Sequence, residues 1–144
     1  MRAGQIPPLA VYTGVTTARR ILLVEDNPGD VQLLRTAFEE IGVDPPLDVA
    51  ETGEAALAYP DLNAAPGLVV LDLNLPIVGG LEVLERLLKR SGWATPIVIL
   101  TSSEREQEHE RARRAGAAQV LLKPSSWPEH LGLARQLARL GGLA

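Results

Sequence analysis

Cysteine is missing from the 144-residue chain. That excludes a disulfide framework, a thiolate metal site and thiol catalysis. Aromatic residues number one Phe, two Trp and two Tyr, too few for the stacking platforms that hold single-stranded nucleic acid. A net charge of −4 gives no general pull toward nucleic acid. No apolar run approaches the length of a membrane span. Pro7 and Pro8 interrupt the segment after Arg2, which argues against a secretory signal. Together these absences lead us to expect a cytoplasmic protein. The two histidines, His109 and His130, lack a partner at ligand spacing and read as surface or interface residues. Trp93 and Trp127 read as packing residues at loop–helix junctions. Lysine is scarce as well: Arg outnumbers it twelve to two, and one of the two is Lys123. A compact ammonium differs chemically from a planar guanidinium, so a retained lysine draws attention.

The length suits one domain with a sizeable core. Residues 1–18 read as a tail, with Pro7-Pro8 and no sustained period, and 19–144 as the domain. From Arg20 onward, short apolar runs alternate with helical patterns. The runs are Ile21–Val24, Leu68–Leu71, Ile97–Leu100 and Val120–Leu122, and Leu47–Ala50 reads as a short second strand. Runs this short, rich in Val, Ile and Leu and without polar alternation, suit strands covered on both faces. Asn27 can cap the first helix with Pro28 at its first position, and Gly42 can end it. Thr52 can cap a weak second helix, Gly53–Ala58, that Pro60 stops. Gly79-Gly80 let the chain swing into a third helix with a Leu81, Leu84, Leu88 stripe and a Glu85–Lys89 pair. Ser103 and Glu106 have capping-box spacing before a nearly all-polar helix, Glu104–Ala115. Its acids lie early and its arginines late, opposing the helix dipole. Only Ala112 and Ala115 could pack closely, so this helix is expected to be loosely held. Ser126 and Glu129 open a last helix to Leu140 whose apolar arc is broad enough to serve the sheet and a partner. The alternation implies a doubly wound parallel sheet with helices on both faces and right-handed crossovers.

In such sheets ligands bind beyond the carboxyl ends of the strands. The first strand runs into Glu25 and Asp26, the third into Asp72, the fourth into Thr101 and the fifth into Lys123. Three carboxylates, a hydroxyl and a rare lysine are therefore expected at one edge. A carboxylate pair about 4 Å apart costs on the order of 4 kcal/mol at an effective dielectric near 20. Either a proton or a cation must relieve it. Oxygen ligands without His or Cys favour a hard ion, and a site open to phosphate favours Mg²⁺. A carboxylate can also attack phosphorus to form an acyl phosphate. Lys123 would bind a phosphoryl oxygen as a point charge, and the Thr101 hydroxyl another.

The pieces I-L-L-V-E-D-N, L-V-V-L-D-L-N-L-P followed by G-G-L-E, I-V-I-L-T-S-S and V-L-L-K-P stand in order between about Arg20 and Leu140. At this spacing the chain resembles the CheY-like receiver domain of two-component response regulators. The resemblance implies the flavodoxin-like five-stranded order 2-1-3-4-5 and a single-domain regulator, too short for an added DNA-binding or enzymatic module. It implies Asp72 as phosphoacceptor and Mg²⁺ held by Glu25, Asp26, Asp72 and the Asn74 backbone carbonyl. Thr101 and Lys123 would contact the phosphoryl group, next to a cis Lys123–Pro124 bond. The donor would be a sensor histidine kinase and the output a protein contact. The stretch Glu25–Asp30, E-D-N-P-G-D, is also similar to the short regulators that serve bacterial phytochrome kinases. Many receivers carry a switching aromatic three residues before the lysine. Val120 stands there, which leaves the threonine and the Glu104–Ala115 helix as the expected readout. The apolar arc of the last helix implies a homodimer through the Glu104–Leu140 region. The chain is expected to be a switch and not an enzyme. Two rivals are a small Mg²⁺ phosphohydrolase and a phosphorylation-independent adaptor. The first lacks the second acid that such enzymes usually carry two residues after the nucleophile, where this chain has Asn74. The complete acidic set argues against the second.

Overall fold

The computed structural model describes residues 20–143; the expected tail, 1–18, lies outside them. Five strands form one parallel sheet. They are β1 (Ile21–Val24), β2 (Leu47–Ala50), β3 (Leu68–Leu71), β4 (Ile97–Thr101) and β5 (Gln119–Leu122). Their order across the sheet is β2-β1-β3-β4-β5, the doubly wound arrangement expected. The connecting helices are α1 (Pro28–Glu40), α2 (Gly53–Leu62), α3 (Gly80–Leu88) and α4 (Glu106–Ala115), and α5 (Trp127–Leu140) follows β5.

Two apolar layers explain why the strands carry no polar alternation. On one face Leu22, Val24, Val69, Leu71, Ile97 and Ile99 pack with residues of α2, α3 and α4. On the other, Ile21, Leu23, Leu68, Val70, Val98 and Leu100 pack with α1 and α5. Each strand residue points to one layer or the other, so every position must be apolar. The two edge strands are the exceptions, half-buried for most of their length: β2 carries Asp48, and β5 carries Gln119 and leaves Leu122 50% exposed, because no further strand covers either.

Capping chemistry sets most helix starts. The Asn27 side chain accepts the N–H groups of Gly29 and Asp30, Thr52 accepts from Ala55 and Ser126 from Glu129. α2 does not stop at Pro60 but runs on to Leu62. Proline removes one ladder bond, and tertiary anchors outweigh that loss. The buried Tyr59 donates its hydroxyl to Asp48 at 2.5 Å and Asp61 pairs with Arg90 at 2.6 Å, while the Asn63 N–H closes the helix end on the Tyr59 carbonyl at 3.0 Å. Burial, then the Asp48 carboxylate, pushes the Tyr59 phenol up to about 12.

Ser103 does not cap α4. Its hydroxyl accepts the Arg105 N–H, forming a local turn, and α4 begins at Glu106 with no side-chain cap. Only Ala112 of α4 is fully buried, and local ion pairs join Arg105, Arg113 and Arg114 to Glu106, Glu108 and Glu110 along its exposed side. On α3 the exposed pair is Glu82–Arg86; Glu85–Lys89 has the same spacing but does not form among the described contacts. Leu133, Ala134, Leu137 and Ala138 of α5 are buried against the sheet, with Leu131 and Leu140 half-buried on the same layer. The apolar arc is therefore used mainly by the domain itself.

Candidate functional site

The ladder register aligns the strand ends. Val24 lies opposite Leu71, so Glu25 and Asp72 follow the ladder together. The Asp72 N–H donates to the Val24 carbonyl at 3.1 Å and the Lys123 N–H to the Thr101 carbonyl at 2.8 Å. Residues remote in sequence thus leave the sheet side by side at its carboxyl edge.

There the Lys123 ammonium contacts three carboxylates. It lies 2.9 Å from Glu25, 2.9 Å from Asp30 and 3.4 Å from Asp72. Glu25 and Asp72 are buried, at 2% and 4% exposure. Glu25, Asp26 and Asp72 each offer one oxygen, all within 4.8 Å of one another. Asp26 is exposed and opens this group to solvent. The Asp72 carboxylate is fixed from two sides, with the Asn74 backbone N–H donating to Oδ1 at 3.0 Å and Lys123 on Oδ2. Thr101 is fully buried, and its hydroxyl oxygen accepts the Ser103 N–H at 3.1 Å. All the residues expected at the site, Glu25, Asp26, Asp72, Asn74, Thr101 and Lys123, therefore stand at this edge.

Charge is out of balance here. Burial pushes the Glu25 carboxyl above the usual carboxylate range; the bond from Lys123 pulls it back and the Asp72 charge pushes it further. Burial works against the Lys123 ammonium, but its bonds to Asp30 and Glu25 and the charge of Asp72 outweigh that and hold its pKa above the ordinary lysine range. One ammonium is shared among more acids than it can neutralise. An all-oxygen set with excess negative charge and no His or Cys suits a hard divalent cation.

Asp30 was not anticipated. It sits in the first turn of α1, and its partner Lys123 is 93 residues away. Its sequence signals are its place in the first helical turn after a strand that ends in acids and its position as the last residue of the E-D-N-P-G-D stretch. The Lys123–Pro124 bond, expected to be cis, is trans, the isomer X–Pro bonds favour by about 0.5–1 kcal/mol. His109 and His130 each face a backbone carbonyl, of Ser103 and of Ser126, and Trp127 stacks on His130 at 5.9 Å. Neither histidine joins the acidic set, though His130 lines a small pocket beside Asp30 and Lys123. Among the described residues no helix is long and apolar enough to cross a membrane.

The family model described as the response regulator receiver domain matches residues 21–133. A probable methanogenesis regulatory protein, FilR2 of Methanothrix harundinacea, is 39% identical over 116 residues, covering 76% of this chain and 74% of that protein. The chain spans about half the length of other curated relatives it matches, transcriptional regulatory proteins. Among solved structures, the bacteriophytochrome response regulator AtBRR is 35% identical with a TM-score of 0.70, covering 90% of this chain and 96% of that one. The Mn²⁺-bound form of the response regulator Rcp1 is 27% identical with a TM-score of 0.74, covering 83% and 91%.

Proposed function

Because the chain belongs to the receiver domain family of two-component response regulators, we propose that Asp72 is its phosphoacceptor and that the chain is a switch, not a turnover enzyme. One observation carries the reading: the ammonium of Lys123 stands within 3.4 Å of Asp72 and 2.9 Å of Glu25, beside a set of three convergent carboxylates. Fixed by the Asn74 N–H, Asp72 presents an oxygen that forms the new P–O bond. The P–N bond of a histidine kinase phosphohistidine breaks, and the imidazole leaves with a proton from water. Lys123 takes a phosphoryl oxygen as a point charge, and the Thr101 hydroxyl proton is free to donate to another. Glu25, Asp26, Asp72 and the Asn74 carbonyl would hold Mg²⁺, which when bound supplies positive charge against the phosphoryl oxygens. The Mn²⁺-bound form of Rcp1 supports a divalent-ion site here.

The test is intact mass after incubation with acetyl phosphate and Mg²⁺. The wild type is expected to gain one phosphoryl group, while Asp72→Asn, or the wild type in EDTA, gains none. An adduct on Asp72→Asn would overturn the assignment.

The likeness to a bacteriophytochrome response regulator supports a bacterial phytochrome as the kinase. The output is a protein contact made when the added charge reorders the β4–α4 segment. We assign a homodimer to the Glu104–Leu140 region, where Leu122 on the open edge strand and Trp127 are exposed. Light scattering at micromolar to millimolar concentration is expected to give a dimer mass that falls in Leu122→Asp. A monomer mass with and without beryllofluoride would remove this assignment.

A further inference from the structure

Asp30 has no part in the ion-binding set yet takes one of the three donors of Lys123. The set is Glu25, Asp26 and Asp72. An ammonium has three N–H groups; Asp30 and Asp72 each accept one, and Glu25 lies at ion-pair distance from the same nitrogen. Asp30 and Glu25 hold the nitrogen at 2.9 Å, and Asp72 is left the longest contact at 3.4 Å. Unlike Glu25 and Asp72, Asp30 is on the rim, with its side chain 38% exposed. With Lys123, Ser102 and Glu104 it lines an open groove of about 1100 Å³. Both Asp30 and Asp72 touch one nitrogen, so the Asp30 charge stands one ammonium group away from the reacting carboxylate.

Two consequences follow for an incoming phosphoryl donor. A donor entering along the groove meets the Asp30 charge, and the Lys123 donor it needs is already shared with Asp30. Four carboxylates, Glu25, Asp26, Asp30 and Asp72, share this edge with one ammonium, so with all four ionised even a divalent cation leaves the site net negative. Repulsion by a fixed charge scales with the charge of what approaches. A dianion is therefore penalised about twice as strongly, on a logarithmic scale, as a monoanion. We propose that Asp30 is a specificity-determining residue that selects against small dianionic phosphoryl donors, by its own charge at the groove mouth and by holding Lys123. This rests on the reading of Asp72 as the phosphoacceptor.

The experiment compares second-order rates of phosphorylation of the full chain by acetyl phosphate, a dianion at neutral pH, and by phosphoramidate, a monoanion, with Mg²⁺ saturating. Asp30→Asn should raise the acetyl phosphate rate about fivefold to tenfold but the phosphoramidate rate only about twofold to threefold, from the Coulomb scaling with donor charge. Salt near 1 M, where the screening length is about 3 Å, should shrink both gains. Asp30→Glu restores the charge and should restore the wild-type ratio of the two rates. Asp44→Asn, which removes the same charge just before Pro45-Pro46 and β2, should leave the ratio unchanged. A ratio unmoved by Asp30→Asn, or moved equally by Asp30→Asn and Asp30→Glu, overturns the proposal while leaving Asp72 in place as acceptor. A wild type that takes a phosphoryl group from neither donor overturns both.

Discussion

Lys123→Met should be the most damaging single substitution at the site, and Mg²⁺ should repair part of the damage. In EDTA the variant should lose on the order of 2–4 kcal/mol against the wild type, slightly below the about 3–5 kcal/mol for removing one partner of a fully buried ion pair. The Lys123 side chain is 18% exposed and those of Glu25 and Asp72 are 3% and 5%, so solvent screens this loss only modestly. Without the ammonium, Glu25, Asp26, Asp30 and Asp72 face one another uncompensated. A divalent ion binding to the folded acids stabilises by mass action, so millimolar Mg²⁺ should narrow the gap. Acid should narrow it as well. Burial already pushes Glu25 up, and a carboxyl raised in the folded state favours folding when protonated. The native state then holds the extra proton, so stability falls as pH rises from the unfolded-state value through the folded one. Recovery on acidification should begin above the ordinary carboxylate range. The phosphorylation rate should fall about a hundredfold, the cost of losing one charge-stabilising donor in a reacting site. Urea unfolding with and without Mg²⁺, alongside the acetyl phosphate rate, checks both parts. Equal stability of variant and wild type in EDTA would sink the claim that this ammonium balances the acids.

Gly80→Ala should be nearly as harmful, though it touches no charged group. A Cβ on Gly80 would lie 2.3 Å from the Asp72 carbonyl oxygen and 2.5 Å from the Leu73 Cα. Both are backbone atoms and cannot rotate away. The start of α3 must therefore shift away from the end of β3, and the segment that aims Asp72 shifts with it. Overpacking of this kind costs about 1–3 kcal/mol, and misplacing a reacting group by about 1 Å can cost a hundredfold in rate. Gly79 is the control. It is the N-cap of α3 with φ −74° and no side chain to cap with, and nothing lies within 4 Å of an added Cβ. Gly79→Ser should be neutral or slightly stabilising, because serine can supply the missing cap. Thermal unfolding and the acetyl phosphate rate of the two variants decide the matter. Gly80→Ala with wild-type stability and rate would contradict the close approach.

The strands were legible because a sheet buried on both faces needs unbroken apolar runs, and Ile21–Val24, Leu68–Leu71 and Ile97–Leu100 have them. The site was legible for the same reason: in a parallel sheet the first polar residue after each run falls at one edge. What escaped depends on contacts between distant residues. Asp30 looks like an ordinary first-turn acid until Lys123 is placed beside it. α2 passes Pro60 because Tyr59 is anchored on Asp48 and Asp61 on Arg90, and no local pattern contains that. The glycine pair before α3 suggested backbone freedom, but neither glycine has a positive φ; Gly80 is required for proximity instead. Ser103 has capping-box spacing with Glu106, yet it closes a turn one step earlier, while the Thr101 hydroxyl oxygen receives the Ser103 N–H.

The most direct measurement asks which residue carries the phosphoryl group. Borohydride reduces an aspartyl phosphate to homoserine, and peptide mapping then locates it. After treatment with acetyl phosphate and Mg²⁺, homoserine is expected at Asp72. Homoserine at Asp26 or Asp30 with Asp72 intact would contradict the account.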